Sequence, residues 1–323
     1  LFRSFDTGFH GPVSASEALV RSLNLPAVQL LEALGPKNVA ARLRNVGLNL
    51  RFPPGAEPNL SLILGGTGAR MDDIVAAYSA FARHGNAGQL RWMADQPLQE
   101  RPLLSPGAAW IIRRILGGEA QPAGNGSAPA VVPLAWKTGT SYGYRDAWAV
   151  GINPRYLIGV WVGRPDATPV AGQFGFASAV PVMNQVNNVL MNRLAGRAIP
   201  TDPRPASVSV AGICWPGGQP LPEGDENCRQ RRQSWVLNDT LPPTLLAPGQ
   251  ESLSGLHLRY WQNEQGLRVA ADCPRAISHE RLVWPLPLEA WLPPQERRAQ
   301  RLPAVDPRCP PLHQGSKIGR AHV

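Results

Sequence analysis

The hydrophobic patterning of this chain predicts an α+β fold, an antiparallel sheet flanked by helices, and three observations lead there. Residues 14–117 carry helix caps, helix stops and apolar positions at helical spacing. Residues 134–162 change period and read as short apolar runs, separated by turns too tight for anything but hairpins. Beyond a polar loop, Val182, Val186, Val189 and Leu190 return to helical spacing. Helices, a meander and one helix packed back on it are the element order of α+β rather than of parallel βαβ units.

Each element has its own signal. Ser14-Ala15-Ser16-Glu17 is a capping box, in which a hydroxyl and a carboxylate satisfy first-turn N–H groups. Its helix is expected to stop near Leu25, because Pro26 disfavours helical backbone in the residue before it. A second helix is expected from Pro26 to Leu34, closed by Gly35, and a third from Pro36 toward Val46, closed by Gly47. Ile74, Ala77, Tyr78 and Phe81 mark a helix ending at His84-Gly85. Ser105-Pro106 supplies cap and first residue of another, which carries Ile111, Ile112 and Ile115 to Gly117. Strands are expected over 134–140, 146–151 and 156–162, joined by turns at 141–144 and at Asn153-Pro154.

The whole chain has 323 residues, enough for one large domain or two ordinary ones. No stretch approaches the roughly 18 uninterrupted apolar residues of a membrane helix. The net charge is +9, and Lys37, Lys137 and Lys317 are the only lysines. The arginines are scattered without runs or aromatic interleaving, so the charge reads as a solvated surface and no nucleic-acid partner is expected.

From Pro200 the texture changes to frequent prolines with interspersed Trp215, Trp235, Trp261, Trp284 and Trp291. Tryptophans imply burial, so residues 200–313 are read as a small, irregular, β-leaning extension without a catalytic motif. Its Cys214, Cys228, Cys273 and Cys309 form no C-x-x-C pair and no finger-like spacing with histidine, so no metal or cofactor is expected. Two disulfides are one reading, with Cys214–Cys228 and Cys273–Cys309 the shortest pairings; free buried thiols are the other. Residues 314–323 read as a non-native scar.

The chemistry concentrates at Trp136-Lys137-Thr138-Gly139-Thr140-Ser141. On an edge strand, alternation sends Lys137 and Gly139 to one face and Thr138 and Thr140 to the other. An ammonium and hydroxyls suit a substrate carboxylate, and an unpaired Thr140 N–H suits a developing oxyanion. Ser22-Leu23-Asn24, just ahead of Pro26, adds a hydroxyl able to relay a proton and an amide able to hold a substrate amide. Alone, S-x-N is a weak signal; about 115 residues ahead of a K-T-G-T run, it is far more specific.

These motifs, with residues 16–28 (SEALVRSLNLPAV), 60–66 (LSLILGG), 76–78, 81–82, 146–148 and 159–165 (GVWVGRP), resemble the transpeptidase part of class A penicillin-binding proteins over roughly residues 1–199. The stretch from Ile213-Cys214-Trp215-Pro216 onward resembles that type as well. The resemblance implies peptidoglycan biosynthesis at the periplasmic face of a bacterial inner membrane. It implies a serine acyl-enzyme formed on the D-Ala-D-Ala end of a stem peptide and transfer to a neighbouring amine. Stem peptides, lipid-linked precursor and β-lactam antibiotics are the implied partners. Ser22, Asn24 and Lys137 carry over as catalytic, and Thr138, Gly139 and Thr140 as substrate-binding. Asp146, Ala147 and Trp148 are assigned to structure.

One departure matters most. The family nucleophile sits in S-x-x-K, yet the residues three before the lysines are Leu34, Leu134 and Gln314. The resemblance therefore implies that the nucleophile lies upstream of Leu1, with a glycosyltransferase domain and a membrane anchor, and that these residues alone are inactive. Three other readings compete with this one. A D,D-carboxypeptidase would pass the acyl group to water instead. The basic charge and the Trp-rich extension also suit a non-catalytic wall-binding or partner-docking module, a role favoured for residues 200–311 alone. Gly139-Thr140-Ser141-Tyr142-Gly143 also matches the G-x-S-x-G elbow of α/β-hydrolases, but an elbow needs a helix after its serine, whereas residues 145–151 read as a returning strand.

Overall fold

The Ser14 hydroxyl accepts the Glu17 N–H at 3.1 Å and opens helix α1 (Ala15–Val20). The helix ends earlier than Pro26 requires. Ser22 takes left-handed backbone (φ 54°), the Ser22 N–H donates to the Leu19 carbonyl and the Leu23 N–H to that of Ala18. That is a Schellman closure with serine in the place glycine usually fills. Helix α2 (Asn24–Leu34) then starts two residues ahead of expectation and absorbs Pro26 in its first turn, where a missing N–H leaves no helical bond unmade. Gly35 (φ 82°) separates it from α3 (Pro36–Asn45).

The computed structural model describes residues 11–119, 122, 134–198, 200–215, 218–220, 230–241, 257–282, 291–299 and 301–311. Among these, residues 13–211 and 233–245 form one compact unit, and residues 11–12, 212–232 and 246–311 another. Residues 314–323 and Cys228 lie outside the described residues.

In the first unit, α4 (Met71–Ala82) begins three residues before its apolar stripe, with Asp72 and Asp73 favourably placed in the first turn. A hairpin of β1 (Asn86–Gly88) and β2 (Glu100–Pro102) follows; its three-residue strands are too short to show alternation in sequence. Helix α5 (Pro106–Leu116) is capped by the Ser105 hydroxyl, which accepts the Ala108 N–H. Then come β3 (Ala135–Thr140), β4 (Asp146–Ile152) and β5 (Leu157–Gly163), antiparallel in the order β3-β4-β5.

Register decides what each sheet face carries. Thr138, Ala149 and Val160 lie opposite one another, as do Thr140, Ala147 and Val162. On that face Ala149, Ile158 and Val160 form a core with Val180 and Met183 of α6 (Val180–Arg193). The fully buried Ala147 and Ala149 keep the surface low enough for a helix to seat. The opposite face carries Lys137, Val150 and Gly159, and the place a Gly159 side chain would fill is taken by Val75 and Met71 of α4. Helix α5 lies against β3. Sequence gave no sign of the π-helical turn Gly175–Ala179 that leads into α6.

The second unit includes a three-stranded antiparallel sheet of residues 257–262, 268–269 and 277–282. Trp261 packs there against Val269, Ala270 and Cys273, and Cys273 is disulfide-bonded to Cys309. Cys214 is also disulfide-bonded; its expected partner, Cys228, is not among the described residues. Among the described residues no helix is long and apolar enough to cross a membrane.

Candidate active site

Strand β3 is the edge on which the site is built. The Ser141 N–H donates to the Asp146 carbonyl at 3.0 Å, which makes 141/146, 139/148 and 137/150 the hydrogen-bonded pairs of the ladder. The Thr138 and Thr140 amides therefore point away from β4. No described strand pairs with that outer edge.

Lys137 leaves the strand on the α4 side and its ammonium donates to two acceptors, the Ser22 hydroxyl and, at 3.0 Å, the Thr138 carbonyl. Fold alone brings Lys137 to a serine 115 residues earlier. Burial holds the Lys137 amine below the ordinary lysine range, since taking the charged form out of water is unfavourable. Ser22 is exposed, in the turn between α1 and α2. A non-glycine residue in left-handed backbone costs of order 1–3 kcal/mol and tends to mark functional positions. Asn24, two residues on, is half-buried and opens α2 instead of lying in the loop before it.

The other members of the motif divide between the faces as alternation requires. Gly139 is exposed and leaves its side of the strand bare. Thr140 turns its hydroxyl to the α6 side, where it accepts the Gly175 N–H at 3.0 Å. A threonine hydroxyl so engaged still has its own proton to donate. Asp146 is occupied structurally: its carboxylate accepts the Trp161 indole N–H at 2.8 Å, and its N–H donates to the Ser141 hydroxyl at 2.8 Å. Ser141 thus closes a hairpin into β4, with the Tyr144 N–H donating to its carbonyl. No helix follows it, and the nucleophile-elbow reading falls on that fact. Sequence reasoning missed Gly175, which opens the π-helical turn with no motif of its own.

Comparison with known proteins identifies relatives of this chain. Two family models match, the penicillin-binding protein 1C linker domain at residues 207–236 and the penicillin-binding protein 1C second linker domain at residues 251–300. Penicillin-binding protein 1A of Haemophilus influenzae shares the fold, with TM-score 0.59 and 17% identity, over 76% of this chain and 43% of that one. Penicillin-binding protein 1A of Clostridium acetobutylicum is 30% identical over 180 residues, 51% of this chain and 22% of the relative. This chain has class A penicillin-binding proteins as relatives. It is similar along nearly its whole length to penicillin-binding protein 1C of Escherichia coli (strain K12). The two are 66% identical over 315 residues, which is 98% of this chain and 41% of the relative. It spans less than half the length of either relative.

Proposed function

We propose that the first unit forms the substrate-gripping part of a serine D,D-transpeptidase site acting on the D-Ala-D-Ala end of peptidoglycan stem peptides. The observation that carries this reading is the Lys137–Ser22 contact beside an edge strand with outward-pointing amides. Lys137 and Thr138 hold the terminal carboxylate, Asn24 holds a substrate amide, and the Thr140 N–H faces the oxygen that gains charge. The attacking serine belongs to an S-x-x-K segment outside these 323 residues. Its hydroxyl adds to the carbonyl of the penultimate D-alanine, the C–N bond breaks, and the terminal D-alanine leaves as an amine. Ser22, hydrogen-bonded to Lys137, passes the proton to that amine. The ester then goes to an amine of a neighbouring stem, or to water in a carboxypeptidase. Such a protein works at the periplasmic face of the inner membrane and is acylated by β-lactams.

Fluorescent penicillin tests this directly. An upstream-extended protein that carries S-x-x-K is expected to label covalently, and the 323-residue chain is not. Covalent labelling of the short chain would place the nucleophile elsewhere, and failure of the extended protein would end the proposal.

Ser22→Gly separates two demands made at one position. Glycine relieves the left-handed backbone, so the chain should hold or gain stability, by up to about 1 kcal/mol. It also deletes the hydroxyl, so penicillin acylation of the extended protein should slow by about 10²-fold or more. Acylation at the wild-type rate would remove Ser22 from the proton path.

A further inference from the structure

Gly175 is buried, and its φ lies outside the left-handed region, so backbone freedom does not explain a glycine there. Space explains it. A Cβ on Gly175 would stand 2.6 Å from the carbonyl oxygens of both Gly139 and Trp148, and 3.1 Å from the Thr138 Cβ. Gly139 and Trp148 are one hydrogen-bonded pair of the β3–β4 ladder. Residue 175 therefore lies directly on the ladder at the centre of the K-T-G-T run, on the face away from Lys137. Its N–H, the first of the π-helical turn, donates to the Thr140 hydroxyl. The turn is anchored in turn, since Ala179 and Met183 are fully buried. Single π-helical turns recur at functional sites, where a widened turn re-aims backbone groups.

We propose that Gly175 is a positioning residue for acyl transfer. It fixes the edge strand from behind, and its amide ties down the Thr140 side chain, which holds the Thr140 N–H in the outward direction that the ladder register sets. The inference rests on the transpeptidase reading above and assigns Thr140 a role through its backbone, with its hydroxyl as a tether. A methyl at residue 175 pushes the strand toward the substrate, and a displacement near 1 Å at a reacting centre costs about 10²-fold in rate.

The test uses the upstream-extended protein and benzylpenicillin, with the pre-acylation dissociation constant and the first-order acylation rate measured separately. Gly175→Ala and Thr140→Val are each expected to slow acylation by about 10²-fold, with the dissociation constant held within about threefold. Thr140→Ser, which keeps the acceptor oxygen, is expected to recover most of the rate lost in Thr140→Val. Where Gly175→Ala fails to fold, the Thr140 pair decides. Wild-type acylation rates in Gly175→Ala or Thr140→Val would overturn the inference while leaving the transpeptidase reading standing. So would a loss confined to the dissociation constant, which makes the Thr140 hydroxyl a direct ligand, or a Thr140→Ser protein as slow as Thr140→Val. An unmodified protein that benzylpenicillin does not acylate would overturn the reading and the inference together.

Discussion

Lys137→Met in the upstream-extended protein is expected to slow penicillin acylation by about 10²–10⁴-fold, the range for disabling a positioned proton-transfer group, here the Ser22 hydroxyl that Lys137 holds, while the fold stays intact and no less stable. Methionine is unbranched and adaptable, and it fills much of the space of the half-buried lysine stem. What disappears is an ammonium whose proton burial already weakens, together with its bonds to the Ser22 hydroxyl and the Thr138 carbonyl. A charge held against desolvation is a liability for folding, so its removal need not destabilise. The pH dependence has a definite sign. Lys137 binds its proton less tightly folded than unfolded, so the unfolded chain carries more protons between the lowered folded value and the ordinary lysine range. Wild-type stability should therefore rise relative to Lys137→Met as pH climbs through that window. Stopped-flow acylation and urea unfolding at several pH values check both halves. A methionine variant that acylates normally, or that unfolds several kcal/mol more easily, would recast Lys137 as a structural residue.

The candidate site was more legible in the sequence than the joints of the fold around it. Lys137 to Thr140 and Ser22 announce themselves because polar groups with unusual chemistry sit at fixed spacing, and strand alternation then assigns their faces. The α1–α2 joint was misplaced because the proline rule sees Pro26 and nothing marks Ser22 as a helix end, since serine seldom closes a Schellman motif. Gly175 was invisible for a different reason. Its demand comes from carbonyl oxygens of residues 139 and 148, and no local pattern records a contact made through the sheet. Charge misled as well. The arginines read as a solvated surface, yet Arg113 and Arg114 are only 5% and 3% exposed, because their partner Asp202 lies almost 90 residues away.

Asp202→Ala is expected to destabilise the first unit by about 3–5 kcal/mol, the usual result of removing one partner from a buried ion pair. The Asp202 carboxylate pairs with the Arg113 guanidinium, and its backbone carbonyl accepts from the Trp110 indole at 3.3 Å and from Arg114 at 3.4 Å. Arg114 also pairs with Glu119 at 2.9 Å and lies 4.8 Å from the centre of the Trp110 ring, while Trp110 meets Trp235 edge to face. Burial lowers the proton affinity of Arg113 more than Asp202 restores it, so without the carboxylate this cation has little reason to stay inside. The effect reaches past residue 202, because these residues hold α5 and α5 lies against β3, the strand that carries Lys137. Urea unfolding should show the loss in Asp202→Ala. The double variant Arg113→Met with Asp202→Leu should recover to within about 1–2 kcal/mol of wild type, since apolar groups of similar size replace a buried pair at little cost. An Asp202→Ala protein within about 1 kcal/mol of wild type would mean that water already reaches Arg113, and that α5 is held against the sheet by apolar packing alone.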